Sequence, residues 1–166
     1  MEKTIRRKDR MVTDIRQITD TVDRAKILHL GLLDGEFPYV VPLHYGYQYD
    51  SSSDKFTFYM HSAKDGHKLD LIRNNPNVCV QINTDVELAS GGDVPCAYGS
   101  YFSSVIGQGK AVLVEDAEEK KKALDLLMKN QTGRSFEFNE KMIASVAVIK
   151  VEVGEYTCKA RIKKPQ

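Results

Sequence analysis

Apolar positions along this chain change their period several times, and each change marks an element. From Thr13 the apolar residues Ile15, Ile18 and Val22 recur at helical spacing, with Thr13 or Asp14 placed to cap the helix. Lys26 to Leu33 then reads as a strand that ends at the Asp34-Gly35 turn signal. Pro38 to Tyr47 alternates, with Tyr39, Val41, Leu43, Tyr45 and Tyr47 on one face and Val40, Pro42, His44 and Gly46 on the other. A polar loop at Asp50 to Asp54 leads into a third strand, Lys55 to His61, rich in Phe and Tyr. Short turns between these three strands favour antiparallel pairing.

Helical spacing returns at Leu69 and Ile72, predicting a helix of two to three turns that begins near Lys64 or Gly66 and stops at Asn74-Asn75-Pro76. Val78 to Asn83 is a strand, Asp85 to Ala97 an irregular excursion, and Tyr98 to Val114 a long strand with Gly107 and Gly109 as bend or bulge points. Asp116 to Glu119 forms a capping box with Asp in the first place, opening a helix that carries Ala123, Leu124, Leu127 and Met128 and closes at Gly133. Ser145 to Val153 alternates as a last strand. The sum is a mainly β, α+β pattern of six strands with two or three helices, barrel-like and without βαβ alternation.

Length and composition narrow the function classes. The 166 residues suit one domain with a real core, spanning 1–166, with residues 1–10 as a loose polar arm. Lys plus Arg total 24 against 23 for Asp plus Glu, a net charge of +1 that gives no electrostatic reason to expect nucleic acid. The basic runs Lys3 to Arg10 and Lys159 to Lys164 read as solvated termini. Without an apolar run behind the N-terminal charges, neither a signal peptide nor a membrane span is expected. Cys79, Cys96 and Cys158 stand far apart with no CxxC pair, which suits a reducing cytoplasm, with Cys79 as a small buried hydrophobe.

The chemistry concentrates in His61-Ser-Ala-Lys-Asp-Gly-His-Lys68, which runs from strand to loop to helix. Ser62, Lys64, His67 and Lys68 together with free N–H groups at a helix start make a phosphate cradle, and Gly66 lets the backbone approach an anion. On local chemistry alone the segment reads equally well as a connection whose lysines sit in solvent. No histidine pair has zinc spacing, so no metal site is expected. His29 reads as a hydrogen-bonded core or interface residue. His61, closing the aromatic strand before the loop, is placed to hydrogen-bond a ring edge or a substrate carboxylate, with packing as the alternative. The serines of Tyr98 to Gly109 need a partner if buried, either a ligand or a second subunit, unless they lie on an exposed edge. A GxSxG elbow is absent, and Glu118-Glu119 reads as helix-start charge.

The order Val-Val-Pro-Leu-His-Tyr-Gly (40–46), Phe-Tyr-Met-His-Ser-Ala-Lys-Asp-Gly-His-Lys-Leu (58–69), Asn-Asn-Pro-Asn-Val-Cys-Val (74–80) and Ser-Val-Ile-Gly-Gln-Gly-Lys-Ala (104–111) resembles the FMN-binding split barrel of pyridoxamine-phosphate-oxidase-like proteins, in particular the nitroimidazole-resistance (Nim) branch. The resemblance spans roughly residues 8–160. It implies a six-stranded antiparallel split β-barrel and a homodimer with FMN at the subunit interface. It further implies that Val41, Pro42, Leu43 and His44 present their strand to the isoalloxazine ring, with Tyr59 alongside, while Ser62, Lys64 and Lys68 hold the phosphate with His67 as helper. Gln81 or Asn83 would approach the ring, and Ser100, Ser103 and Ser104 would come from the other subunit. His61 matches the histidine on the substrate side of the flavin and is the one candidate catalytic residue. The chain departs from the family where the branch has Tyr-Arg-Ser-Val, reading Phe102-Ser103-Ser104-Val105. It also lacks the C-terminal Trp and the Arg-x-His pattern of true pyridoxamine-phosphate oxidases, having no Trp at all, which points away from pyridoxal phosphate synthesis. The resulting expectation is a cytoplasmic FMN-dependent oxidoreductase that reduces a small acceptor of the nitroimidazole kind. The alternatives are a flavin carrier or sensor without turnover and a related haem-binding split barrel.

Overall fold

The alternation read from the sequence builds one antiparallel sheet, seen in a computed structural model that describes residues 5–163. Parts of the N-terminal arm and of both basic runs, among them Lys3 and Lys164, lie outside the described residues. In chain order the elements are β1 (Met11–Val12), α1 (Ile15–Arg24), β2 (Leu28–Asp34), β3 (Phe37–Leu43), β4 (Tyr45–Asp50), β5 (Lys55–Ser62), α2 (His67–Asn74), β6 (Asn77–Ala89), β7 (Gly99–Leu113), α3 (Ala117–Thr132), α4 (Glu140–Ala144) and β8 (Ala147–Arg161). Single 3-10 turns occupy Lys8–Arg10 and Pro95–Ala97. The strand order is β3-β2-β6-β7-β8-β5-β4, with β1 added on β8.

Two of these strands, β3 and β4, sit at opposite ends of that path, yet only His44 separates them in the chain. The sheet therefore curls until its two edges meet, and because β3 pairs with β2 and not with β4, the barrel stays open along that seam. The expected six strands become eight for this reason. The Pro38–Tyr47 run switches partners at His44, pairing with β2 up to Leu43 and with β5 from Tyr45. The short β1 is the other addition. The excursion expected at Asp85 to Ala97 starts later, since β6 continues through a register shift between Thr84 and Glu87 as far as Ala89. The bend expected near Gly107 and Gly109 is a register shift between Gln108 and Gly109 against β8.

Inward positions recur at every second residue: Leu28, Leu30 and Leu32 of β2, Val78, Val80 and Ile82 of β6, and Phe56, Phe58 and Met60 of β5, all in one cluster with Ile18 and Val22 of α1 and Leu69 and Ile72 of α2. That phase turns Cys79 outward and leaves it half-buried, so the buried thiol is Cys158 instead. Asp14 caps α1 through the Arg16 amide, Asp116 caps α3 through the Glu119 amide, and Gly133 closes α3 with φ of 73°. Four helices form where two or three were expected, the addition being α4, capped by Asn139.

The outer face of the sheet is covered unequally. Over β5 and β8 the helices α3 and α4 bury Tyr59, Val148, Leu124 and Ile143 in a second cluster. Among the described residues no helix covers the outer face of β2, β3, β6 and β7, and Leu33, Val40 and Ile106 are 52%, 57% and 43% exposed.

Candidate functional site

The seam of the barrel is the candidate site. At one end, the β4–β5 register pairs Tyr45 with Met60 and so brings His44 opposite His61. At the other, His67 Nε2 lies 2.7 Å from the Asp34 carboxylate at the β2–β3 turn, and its ring meets the edge of Tyr39 at 5.2 Å between centroids. Between these two ties lies the segment 61–67, and β3 is an edge strand, so among the described residues alternate backbone N–H and C=O groups along it have no strand partner.

The cradle groups lie on this segment. Ser62 is buried with its hydroxyl donating to the Ala63 carbonyl at 2.8 Å, Lys64 is exposed and Lys68 half-buried. The helix α2 begins at His67 behind Gly66, whose φ of 142° is unfavourable for a side-chain-bearing residue. No side chain caps α2, whereas Asp14, Asp116 and Asn139 cap the other three α-helices. The Leu69 and Asp70 amides bond back to the Gly66 carbonyl, which leaves the first N–H groups of α2 open to an anion beside two ammonium groups. His67 faces Asp34, so it fastens the helix start to the β2–β3 turn; the sequence offered no sign of Asp34 in this place.

His44 is oriented from α3. Gln131 Nε2 donates to the carbonyls of Lys26 and Tyr45 at 3.2 and 3.1 Å, which turns Gln131 Oε1 to His44 Nδ1 at 2.9 Å. With the amide oxygen accepting, His44 carries its proton on Nδ1 and keeps Nε2 as a free acceptor. Among the described residues the hydrogen-bonded histidines are His44 and His67, while the His61 imidazole has no partner. Burial pulls the His61 pKa below its ordinary value of 6.5, and the neighbouring His44 pulls it further. The unfolded chain therefore takes this proton first as pH falls. His61 costs stability below pH 6.5 and nothing well above it. We expect an NMR titration to place His61 below 6.5 and His44→Gln to raise it; a value at or above 6.5 in the unaltered protein contradicts this environment.

Val41 and Leu43 turn inward from β3 and are half-buried, while Pro42 is exposed on the outer face. Across the sheet, Pro42 pairs with His29, His29 with Gln81, Gln81 with Ile106, and Asn83 with Ser104, so Pro42, Gln81, Asn83 and Ser104 share one outer surface. Ser103 alternates to the inside and is 5% exposed, and Ser100 is exposed opposite Leu88 beyond the barrel. Tyr59 lies beneath α3 and donates to Glu119 at 3.3 Å, away from the seam's open edge. On the shared surface His29 Nδ1 is buried without a hydrogen-bond partner. An orphan of this kind costs about 1–3 kcal/mol unless something else meets it, and the uncovered apolar face around it fits a second molecule. Among the described residues no cluster of three or more His, Cys, Asp or Glu side chains forms a metal site, and no helix is long and apolar enough to cross a membrane.

The family profile described as pyridoxamine 5'-phosphate oxidase matches residues 14–160. A crystal structure from Bacteroides thetaiotaomicron, of a candidate 5-nitroimidazole antibiotic resistance protein, is 32% identical, with a TM-score of 0.75 over 90% of this chain and 85% of that one. Two further structures share the fold at lower identity. A FAD-binding protein from Mesorhizobium loti is 20% identical, with a TM-score of 0.65 over 92% of this chain and 98% of that one. A FAD and haem binding protein from Mycobacterium smegmatis is 15% identical, with a TM-score of 0.78 over 95% of this chain and 76% of that one. No curated protein matches the chain.

Proposed function

This chain belongs to the pyridoxamine 5'-phosphate oxidase-like split-barrel family, and on that footing we propose that it binds FMN in the seam and uses it to reduce a small acceptor. The observation that carries the proposal is the uncapped start of α2, with Ser62, Lys64 and Lys68 around it, lying along the unpaired edge of β3. A flavin phosphate answers the open N–H groups and the two ammonium groups, and the polar edge of a flavin ring answers the free backbone groups of β3 at Val41 to Leu43. FMN fits these residues better than FAD because a terminal phosphate ends at the cradle, which has Lys64 and Lys68 to neutralise one dianion.

Bound flavin supplies the redox chemistry. The chain's own residues hold the phosphate, offer the backbone edge of β3 at Val41 to Leu43 to the ring, and set His61 and His44 at the ring end of the seam. The uncovered face of β2, β3, β6 and β7, with the orphaned His29 Nδ1, favours a homodimer whose partner closes the site and brings Ser104 to the flavin. A solution mass of twice 18.7 kDa supports that assembly and a monomer mass contradicts it.

The similarity to a candidate 5-nitroimidazole resistance protein directs the choice of acceptor. FMN-loaded protein, reduced anaerobically with NADH or NADPH, is expected to be reoxidised by 2-methyl-5-nitroimidazole with the nitro group consumed. Reduction by no donor under any condition would favour a flavin carrier or sensor, and a purified protein showing a Soret band without flavin bands would favour the haem-binding alternative.

A further inference from the structure

At the end of β5 remote from the seam, a groove of about 370 Å³ opens between α1 and α3 along β4, lined by Asp23 of α1, Tyr47, Gln48 and Tyr49 of β4, and Lys129 and Asn130 of α3 among others. The register that sets Tyr45 beside Met60 sets Tyr49 beside Phe56, six residues back along β5 from Ser62. That separation is about 20 Å of extended chain, so the groove stands apart from the phosphate cradle and shares no lining residue with the seam.

Its floor is a strand edge. Asn130 Nδ2 and Gln131 Nε2 both donate to the Tyr45 carbonyl, at 3.0 and 3.1 Å, so that carbonyl faces away from β5. Alternate residues of an antiparallel strand point their N–H and C=O groups the same way, which turns those of Tyr47 and Tyr49 away from β5 as well. Because β4 ends the strand order, these groups have no backbone partner among the described residues. The two side chains hold the edge in place: the Tyr47 hydroxyl donates to Asp23 at 3.4 Å and that of Tyr49 to Asp54 at 2.8 Å, and both rings pack on Phe56.

Three further groups are unpaired. Asn130 directs its amide nitrogen to Tyr45, which leaves Oδ1 as the acceptor, and that oxygen is buried without a hydrogen-bond partner. The Asp23 carboxylate and the Lys129 ammonium are exposed on opposite walls, and neither is in an ion pair among the described residues. A bare strand edge is matched by another extended backbone. Its usable length is short, because at Gly46 the α3 backbone closes on β4, to within 2.3 Å of where a Cβ would stand. From Tyr47 to Asp50 the edge spans about 13 Å, too little for a strand of a folded neighbour and enough for two or three residues. A free carboxylate on one wall and a free ammonium on the other answer the two charged ends of a chain that stops there.

We propose that this groove binds a free di- or tripeptide, with its backbone paired to Tyr47 and Tyr49, its ammonium on Asp23, its carboxylate on Lys129 and one of its N–H groups on Asn130 Oδ1. The inference goes beyond the flavin reading and does not depend on it. Trialanine titrated into the protein as purified should shift the backbone amide NMR signals of Tyr47 and Tyr49 saturably. Capping both peptide ends, as acetyl and methylamide, should weaken binding by about fivefold or more, and so should N-methylation of the middle residue, each loss being that of one exposed ion pair or hydrogen bond. Asp23→Asn combined with Lys129→Gln should weaken trialanine by a similar factor and leave the capped peptide unchanged; both positions are exposed, so the fold should hold. FMN should bind the peptide-saturated protein as it binds the free one. Absence of saturation by about 10 mM peptide, capped or N-methylated peptide binding as well as trialanine, or competition between trialanine and FMN overturns the proposal. Saturable shifts in a chain that takes up no FMN leave the peptide site standing and count against the flavin reading alone.

Discussion

Replacing both Lys64 and Lys68 with Ala is expected to weaken FMN by about 100-fold and riboflavin by less than about threefold. A charge-assisted hydrogen bond contributes roughly 1.5–3 kcal/mol, and an exposed ammonium such as Lys64 belongs at the low end, about tenfold each. Riboflavin has the ring and ribityl chain without the phosphate, so the comparison isolates the cradle from the rest of the seam. The fold should be indifferent, because Lys64 is exposed and Lys68 half-buried, and neither takes part in an ion pair among the described residues. Salt should blunt the FMN affinity of the unaltered protein more than that of the double variant, since screening acts on the charges the variant has lost. Equal losses for FMN and riboflavin would show that these lysines support the loop and do not hold a phosphate.

A single methyl group on Gly46 should cost as much stability as many large-to-small changes in the barrel core. A Cβ there would lie inside the contact distance of the Leu126 and Leu127 backbone and 2.6 Å from the Leu126 carbonyl oxygen. Backbone of α3 cannot rotate away as a side chain can, so the helix has to lift from β4. We expect a loss of about 3 kcal/mol or more for Gly46→Ala, the upper end of overpacking penalties, and a fall in Tm of roughly 6–12 °C. Gly154→Ala is the internal control, since its Cβ would meet only the Lys55 side chain at 3.5 Å, an ordinary contact. The consequence reaches the site. Asn130 and Gln131 of α3 donate to the Tyr45 carbonyl at 3.0 and 3.1 Å, and Gln131 orients His44. A lifted α3 releases His44. A Tm within about 2 °C of the unaltered protein would mean that the close approach is not a constraint.

Features governed by local chemistry were legible in the sequence. Asp14, Asp116 and Gly133 act where capping rules put them, and Ser62 to Lys68 form a contiguous strand–loop–helix segment whose chemistry can be read without knowing the fold. Alternation placed Tyr39, Val41, Leu43, Tyr45 and Tyr47 on one side, and all five pack in or against the core. What escaped was non-local. The break at His44 depends on which strand each half of the Pro38–Tyr47 run pairs with, and no residue in the run announces it. The continuation of β8 from Gly154 to Arg161 lacks strong alternation because its pairing with β7 shifts register at Gln108–Gly109. Asp34 on His67 and Gln131 on His44 are separated by 33 and 87 residues, beyond the reach of any spacing rule. Helix α4 is five residues long, too short for its period to show, yet its Met142 lines a pocket together with His61.

The seam also explains why two histidines with no metal spacing fall together. They are neighbours across the end of the β4–β5 ladder, and the chain departs from that ladder at the point where β3 becomes a free edge. The same departure leaves β3 an edge strand at Val41 to Leu43. In the proposed function, the cofactor site and the open seam of the barrel are one feature.

The most direct test is an equilibrium titration of flavin-free protein with FMN, riboflavin and haemin, followed by absorbance. We expect one FMN per chain, bound at least about tenfold more tightly than riboflavin, a difference of about 1.4 kcal/mol or more assigned to the phosphate, with haemin failing to compete. Riboflavin and FMN binding alike, or haemin displacing FMN, would contradict it.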